Sequence, residues 1–294
     1  MIRFDDQVAI VTGAGAGLGR SHALGLAARG AHVVVNDMAG ATAVVAEIVA
    51  AGGSALANDA DVSDPDAVQQ MVVAAQDRWG RIDILINNAG ILRDKTFAKM
   101  DLADFRKVIE VHLMGTANCC HAVWPVMRAQ GYGRIVLTAS GSGLYGNFGQ
   151  ANYGAAKAAM VGLMNVLHLE GTRDDIRVNT LAPTAATAMT EGLLPDAALA
   201  LLQPETITPG VLYLASADAP SKTILSAGGG TFAVTQITET QGALIAGDIT
   251  PEAVAAHWPQ ISDPTGAAPL ENAFAQTRKY AQRAAQAKGI DLDW

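Results

Sequence analysis

Only two of the 294 residues are cysteine, and they are adjacent, Cys119 and Cys120. A vicinal pair is a poor structural staple, and there is no third cysteine for either to bridge. Both read as small buried side chains on a helix, and nothing calls for an oxidising compartment. Basic residues are also short, 20 Lys and Arg against 28 Asp and Glu, for a formal net charge of -8. That deficit disfavours a phosphate backbone as partner and supplies no polybasic signal for an anionic membrane. No apolar run reaches 18 residues, and Asp5 and Asp6 stand where a secretory segment would begin. The last four residues, DLDW, match no lipidation or peroxisomal address. No spacing of His, Cys or carboxylates asks for a metal. These absences lead to the expectation of a soluble cytoplasmic protein whose partner is a small molecule, with neither nucleic acid nor membrane.

What is present alternates. Short apolar runs at Val8–Thr12, His32–Asn36, Ser54–Val62, Ile82–Asn87, Arg134–Ala139, Arg177–Leu181 and Lys222–Ala227 read as strands. Several are almost wholly apolar, as a strand covered on both faces must be. Helical stretches lie between them, near Leu18–Arg29, Ala41–Ala51, Asp64–Trp79, Asp101–Gln130, Ala151–Gly171 and Pro204–Ser216. The β-α-β order predicts an α/β fold, a Rossmann-type doubly wound parallel sheet of about seven strands. There is no internal repeat and no linker, so a single domain over residues 1–294 is expected, its core about 6–230. Beyond about 231 comes a C-terminal extension. Thr231–Ala246 reads as one or two strands with a turn near Gln241-Gly242. A helix begins at Thr250-Pro251-Glu252, and Glu271–Lys288 reads as an amphipathic helix.

The first strand runs into Thr12-Gly13-Ala14-Gly15-Ala16-Gly17-Leu18-Gly19 and then a helix. Strand, glycine turn and helix make a phosphate cradle, because the backbone can approach a pyrophosphate while the helix N-terminus offers free N–H groups. The spacing fits TGxxxGxG, with Thr12, Gly13, Gly17, Leu18 and Gly19 as the cradle, and does not fit GxGxxG. Asp37 ends the second strand, eighteen positions beyond Gly19. An acid there can accept hydrogen bonds from the adenosine ribose and would repel a 2′-phosphate, and Ala16 offers that phosphate no basic partner, so NAD is expected over NADP. Asp61 and Val62 are placed to bracket the adenine. Asn87-Asn88-Ala89-Gly90 ends the fourth strand, at the edge where such sheets bind ligands, which brings Asn88, Ala89 and Gly90 to the cofactor.

Ser140 ends the fifth strand, and Tyr153 and Lys157 follow four apart on one helix face. Removing hydride from an alcohol needs a base for the hydroxyl proton, and a free tyrosine, with a pKa near about 10, is too weakly acidic. An ammonium about 4 Å away would favour the phenolate by roughly 4 kcal/mol at an effective dielectric near 20, desolvation opposing it. In this reading Ser140 holds the substrate oxygen against Tyr153, and Lys157 also holds the nicotinamide ribose. Tyr153 and Lys157 thus border the cofactor as well.

In this order, glycine loop, NNAG, Ser140, Tyr153 and Lys157, the sequence resembles the short-chain dehydrogenase/reductase family over about residues 6–230. The resemblance implies a seven-stranded Rossmann-type sheet and the roles just given. Two departures stand out. The family usually has Asn in the central helix, shaping a proton relay to the lysine, where this chain has His112. Either His112 supports the relay, the helix backbone does so unaided, or the histidine is merely packed. The family commonly has Pro-Gly after the sixth strand, where this chain has Pro183-Thr184. Pro183 and Thr187 would then border the nicotinamide, with the alignment through Ala185–Thr190 loose by a residue or more.

A narrower resemblance, carried by VVND, NNAGILRD, YGNFGQANY and TPEAVAAHW, is to the (3R)-hydroxyacyl-CoA dehydrogenase group of type 2 peroxisomal multifunctional enzymes and their bacterial relatives. It shares His112 and the non-glycine after Pro183, and it implies an acyl-CoA or steroid substrate. The residues themselves say only secondary alcohol or ketone. Thr184–Gln203 reads equally as an apolar lid or as plain packing. A 17β-hydroxysteroid dehydrogenase is the alternative enzyme. A non-catalytic NAD-binding sensor or scaffold is the alternative of another class, and the intact Ser140, Tyr153 and Lys157 set argues against it. Small and apolar residues run around the helices Asp101–Gln130 and Ala151–Gly171, which predicts a homodimer, with a homotetramer open.

Overall fold

The computed structural model describes residues 1–186 and 195–292. The described strands are β1 (Val8–Thr12), β2 (His32–Asn36), β3 (Ser54–Asn58), β4 (Ile84–Asn87), β5 (Gly133–Thr138), β6 (Ile176–Pro183), β7 (Ile224–Gly228) and β8 (Thr231–Thr235). Between them lie α1 (Gly17–Ala27), α2 (Ala41–Ala50), α3 (Pro65–Trp79), α4 (Leu102–Ile109), α5 (Gly115–Gln130), α6 (Gly141–Tyr145), α7 (Ala151–Gly171), α8 (Asp196–Leu201) and α9 (Thr208–Leu214). After β8 come α10 (Pro251–Ala256), α11 (Trp258–Ile261) and α12 (Ala273–Ala287). Two compact units result, Met1–Val234 and Thr235–Trp294.

The first unit is built on an eight-stranded sheet in the order β3-β2-β1-β4-β5-β6-β7-β8, and β1 to β7 pair in parallel. Alternate side chains explain why the strands read as continuous apolar runs. Val8, Ile10, Val34, Leu85, Ile135 and Val178 pack on one face with Met71, Val123, Met127, Met160 and Met164 from α3, α5 and α7. Their neighbours Ala9, Val11, Val33, Val35, Ile84 and Val136 pack on the other with Leu26, Val44, Ile48, Val211 and Leu212 from α1, α2 and α9. Both faces of each central strand are therefore covered, as a parallel sheet requires. The chain leaves β1 for β2 and β3 on one side, then crosses to β4 on the other, so the order reverses between β1 and β4. Their carboxyl ends open a crevice there.

Two expectations change, and a strand expected after residue 231 is found. β3 stops at Asn58 and not at Val62, because Asn36 Nδ2 donates to Asn58 Oδ1 and Ala60 O (both 2.9 Å), which turns residues 59–63 into a loop. The long helix Asp101–Gln130 is broken: α4 ends at Ile109, a single π-turn covers Glu110–Met114, and α5 starts at Gly115. An inserted residue of this kind leaves no mark in a hydrophobic repeat. The eighth strand follows a two-residue turn, Gly229 and Gly230, both with positive φ (55° and 76°), the backbone of a tight hairpin.

Among the described residues of the second unit no strand follows β8; Glu239 and Ala268 form an antiparallel bridge. Thr250 caps α10 through Ala253 N (3.2 Å), and Asn272 caps α12 through Ala275 N (2.9 Å). Lys279 of α12 donates to Glu239 (2.8 Å) and to the carbonyl of Thr240 (2.6 Å), which holds the irregular stretch to the helix. Among the described residues no helix is long and apolar enough to cross a membrane.

One buried group makes the first unit acid-sensitive. His22 of α1 is fully buried, its Nδ1 2.9 Å from Thr208 Oγ1 of α9, and burial pushes its pKa down to about 3. Between about 3 and an unfolded value near about 6.5 the unfolded chain binds more protons, so stability is full above that window and falls as pH drops through it. We predict that Tm declines from pH 6.5 towards 4, each such group contributing at most about 1.4 kcal/mol per pH unit. His22→Gln should flatten the profile; an unchanged slope in that variant would remove His22 as its source.

Candidate active site

Residues at the carboxyl ends of β1 and β4 are tied together by side chains. Thr12 Oγ1 accepts from the N–H groups of Asn88 and Ala89 (both 3.0 Å). Asn88 Nδ2 in turn donates to the carbonyls of Thr12 (3.1 Å) and Gly13 (3.0 Å). Asn88 thus braces the glycine turn. Gly13 has φ of 60°, and a Cβ there would lie 2.8 Å from Ala89 Cα; one on Gly19 would lie 2.1 Å from Gly13 O. At the mouth of this turn α1 starts at Gly17, with Leu18 and Gly19 in its first turn. Its N-cap, Ala16, supplies no side-chain cap, and no acidic residue stands in the first turn. The leading N–H groups are therefore not taken by a cap, and they carry the positive end of the helix dipole. Those features fit the pyrophosphate of a dinucleotide.

On the adenosine side, Asp37 accepts backbone N–H bonds from Gly15 (3.0 Å), Ala39 (3.0 Å) and Gly40 (3.1 Å). Burial acts to raise its pKa, but the three N–H groups outweigh that and hold it below the usual carboxylate range. Asp61 is held low by the Ser63 hydroxyl (2.7 Å) and N–H (2.8 Å). Val62 is buried, and its carbonyl accepts from Asn118 Nδ2 (3.0 Å).

The chemical residues gather at the ends of β5 and β6 and on α7. Ser140 caps α6: its Oγ accepts from Ser142 N (3.2 Å), and it also hydrogen-bonds the Tyr153 phenol. Tyr153 lies edge-on to His112, ring centres 5.3 Å apart. Lys157 is buried, its Nζ donating to Thr138 O at 2.6 Å and standing 5.6 Å from the centre of the Tyr153 ring. Burial lowers its pKa to about 7. The Tyr153 phenol does not move down as the pairing argument expects. Burial pushes it up and Asp94 adds to that, with only the Ser140 hydrogen bond pulling the other way. The lysine ammonium is hydrogen-bonded to a carbonyl, and desolvation decides the balance at the phenol.

His112 sits in the π-turn with its Nε2 at 2.8 Å from Ile91 O and 3.0 Å from Ile91 N. Its ring rests against Gly90, where a Cβ would come within 2.2 Å of Cε1. Burial first, then the Lys157 charge, pushes the imidazole down to about 3, so it is neutral across the physiological range. Its Nδ1 is buried with no partner among the described residues. Pro183 closes β6, and Thr184 N bonds Ala227 O (2.8 Å). Thr187 lies outside the described residues, as does part of the Thr184–Gln203 segment.

Several residues at this site lie within YGNFGQANY and NNAGILRD but have no role assignable from the sequence. Gln150 Nε2 donates to Asp94 (2.6 Å), and its Oε1 accepts from Ser142 Oγ (2.7 Å) and Asn147 (3.0 Å). Asn152 Nδ2 bonds Arg93 O (2.9 Å). Together they pin the loop after β4 to the start of α7. Their one sequence signal is an unusual density of amides just before Tyr153.

Residues 7–197 match the family model described as short chain dehydrogenase, and the chain belongs to that family; it is an oxidoreductase. Among curated proteins it is 43% identical to mouse (Mus musculus) peroxisomal multifunctional enzyme type 2 over 277 residues. That match covers 89% of this chain but only 37% of the mouse protein. It is 44% identical to a putative short-chain type dehydrogenase/reductase of Mycobacterium tuberculosis, covering 89% of this chain and 96% of that one. Among solved structures it resembles full-length peroxisomal multifunctional enzyme type 2 from Drosophila melanogaster, with TM-score 0.85 and 37% identity. That likeness covers 97% of this chain and 50% of the other. It also resembles a 7α-hydroxysteroid dehydrogenase complexed with NADH and 7-oxo glycochenodeoxycholic acid, with TM-score 0.72 and 33% identity, over 78% and 95% of the two chains.

The contact between Gly90 and His112 has a direct consequence. Gly90→Ala should displace the imidazole from Ile91 and destabilise the fold by about 1–3 kcal/mol, the usual cost of overpacking. Thermal unfolding checks this, and an unchanged Tm would show that the ring can give way.

Proposed function

We propose that the chain is an NAD-dependent dehydrogenase that interconverts a secondary alcohol and a ketone, with a 3-hydroxyacyl-CoA as the substrate class. The observation that carries the reading is the grouping of Ser140, Tyr153 and Lys157 at the same sheet edge as the glycine cradle. A bound dinucleotide supplies the nicotinamide that takes or gives the hydride and, when oxidised, a positive charge that favours the phenolate. Thr12, Gly13, Gly17, Leu18 and Gly19 would hold its pyrophosphate, and Asp37, Asp61 and Val62 its adenosine. Asn88, Ala89, Gly90, Pro183 and Thr187 would border the nicotinamide half, with Lys157 on its ribose.

Ser140 then positions the substrate oxygen, and Tyr153 takes the hydroxyl proton at its phenolic oxygen in oxidation and returns it in reduction. His112, neutral and bonded to Ile91, acts by holding the Gly90–Ile91 backbone and the edge of the Tyr153 ring. The acyl-CoA preference is supported by the likeness to the multifunctional enzymes. Exposed Phe97 and Phe148 either side of the Lys95–Gln150 bridge also offer an apolar approach. A 17β-hydroxysteroid is the second reading; the 7α-hydroxysteroid dehydrogenase among the structural relatives supports a steroid only as a class, not that position. NAD over NADP rests on Asp37, by at least about tenfold in catalytic efficiency, about 1.4 kcal/mol. The setting proposed is cytoplasmic, and cell fractionation tests it.

Turnover with an acyl-CoA panel and a steroid panel tests substrate class. On the accepted substrate Tyr153→Phe should lose about 10²–10⁴-fold, the usual worth of a positioned acid/base. Because the phenol is pushed above its ordinary value, alcohol oxidation should rise with pH from 7 towards 10. Near-normal turnover in the phenylalanine variant, or oxidation that falls with pH, would remove Tyr153 from the role.

The assembly proposed is a homodimer through α5 and α7, with a tetramer open. Ala156, Met160 and Met164 of α7 are buried within the chain, whereas Ala155, Ala158, Gly162, Val166 and Leu169 form an exposed stripe of small and apolar residues. A Cβ on Gly162 would meet nothing within 4 Å, so nothing among the described residues requires glycine there. A second copy of α7 approaching closely along a two-fold axis would require it. Light scattering at micromolar concentration should give about twice the 30.3 kDa chain mass, and Gly162→Phe should return it to one chain. A monomeric parent protein would defeat the proposal.

A further inference from the structure

Asp37 is expected to discriminate between dinucleotides, yet most of its hydrogen-bonding capacity is already committed within the chain. A carboxylate offers about four acceptor sites. Oδ1 takes the N–H groups of Ala39 and Gly40, and Oδ2 takes that of Gly15. About one site is left for a ribose hydroxyl. Two of those three donors belong to the turn after β2, and the third belongs to the glycine turn after β1. The carboxylate therefore joins two loops that the sheet alone leaves side by side.

The backbone at the junction leaves no room for anything larger than hydrogen. A Cβ on Gly40 would lie 2.7 Å from Gly15 O and 2.8 Å from Gly15 Cα. A Cβ on Gly15 would lie 2.6 Å from Asp37 Cγ and 2.8 Å from Gly40 Cα. Neither residue is in the left-handed region, so their need for glycine is one of space and not of backbone conformation. Asn36, buried beside Asp37, anchors the same turn from behind through Asn58 and Ala60.

We propose that Asp37, Gly15 and Gly40 form a latch that sets the shape of the pyrophosphate turn, with Gly15 and Gly40 as positioning residues for dinucleotide binding. The inference rests on the dinucleotide reading of the site. It has a consequence that simple charge discrimination does not. Removing the carboxylate loosens the turn that either dinucleotide needs, so the NADH preference narrows by loss of NADH binding and not by gain of NADPH binding. A basic partner for a 2′-phosphate also cannot be added at residue 15, where the latch leaves no space.

The test uses the full chain and measures Kd for NADH and NADPH by fluorescence, with amide exchange of residues 13–17 and 39–41 in the ligand-free protein. Gly40→Ala should weaken NADH at least tenfold, although position 40 offers no group to the ribose. Asp37→Ala should weaken NADH at least tenfold, leave NADPH no tighter than in the parent, and speed exchange at Gly15 and Gly40 at least tenfold. Asp37→Asn, the gentler change should the alanine variant fold poorly, keeps one acceptor oxygen and should lose NADH binding in the same direction. NADH affinity within twofold of the parent in Gly40→Ala, or NADPH binding gained by Asp37→Ala with exchange unchanged, would overturn the latch. Equal parental affinities for the two dinucleotides would overturn the NAD preference alone, since Gly40→Ala still decides the latch. A parent that binds neither would overturn both.

Discussion

The rest of the site depends on the parallel pairing of β1 with β4. With Val11 opposite Ile86 the pairing of these two strands ends, and Thr12 and Asn87 part to stay with Asn36 of β2 and Leu137 of β5, at the point where strand order reverses. Thr12 and Asn88 then exchange side-chain and backbone hydrogen bonds across the gap. Shift this pairing by one residue and every apolar side chain on a strand changes face, so the two-sided core enforces the register that the crevice needs. On one side of the cradle Asp37 reaches Gly15, and on the other Asn88 reaches Gly13.

Burial acts on the chemical residues in a consistent direction. The charged form is disfavoured in each of Tyr153, Lys157 and His112, and the hydrogen bonds that remain are to the backbone or to Ser140. Burial therefore biases these three side chains towards their neutral forms. A lysine with its pKa brought to about 7 is poised between charged and neutral states, and a nearby charge on a ligand can move the proton balance of the group. Coulomb attraction at a chosen distance, taken without desolvation, points the wrong way for the tyrosine in the ligand-free chain.

Much of the architecture was legible because parallel strands covered on both faces leave a plain mark, runs such as IDILIN and RIVLTA. The ligand-binding edge was marked by the glycine turn after the first strand and NNAG after the fourth. What was not legible depended on side-chain detail. Asn36 and Asn58 cut β3 short by hydrogen-bonding across two loops, and no propensity records a bond between residues 22 apart. The π-turn carrying His112 adds a residue within an uninterrupted helical pattern. Gly15 and Gly40 look like ordinary turn glycines in the sequence, and only their mutual approach shows that they need space and not freedom. The amide network through Gln150 lay largely within YGNFGQANY and NNAGILRD, but that its members bond one another could not be read from the sequence.

The central claim is that hydride passes between a substrate carbinol carbon and a nicotinamide held at the β1–β4 edge. A 3-hydroxyacyl-CoA deuterated at C3, incubated with the protein and NAD, tests it most directly. Mass spectrometry should find the deuterium in the reduced dinucleotide, with none released to solvent. Ketone formed with the label in water, or dinucleotide reduced without label, would contradict the account.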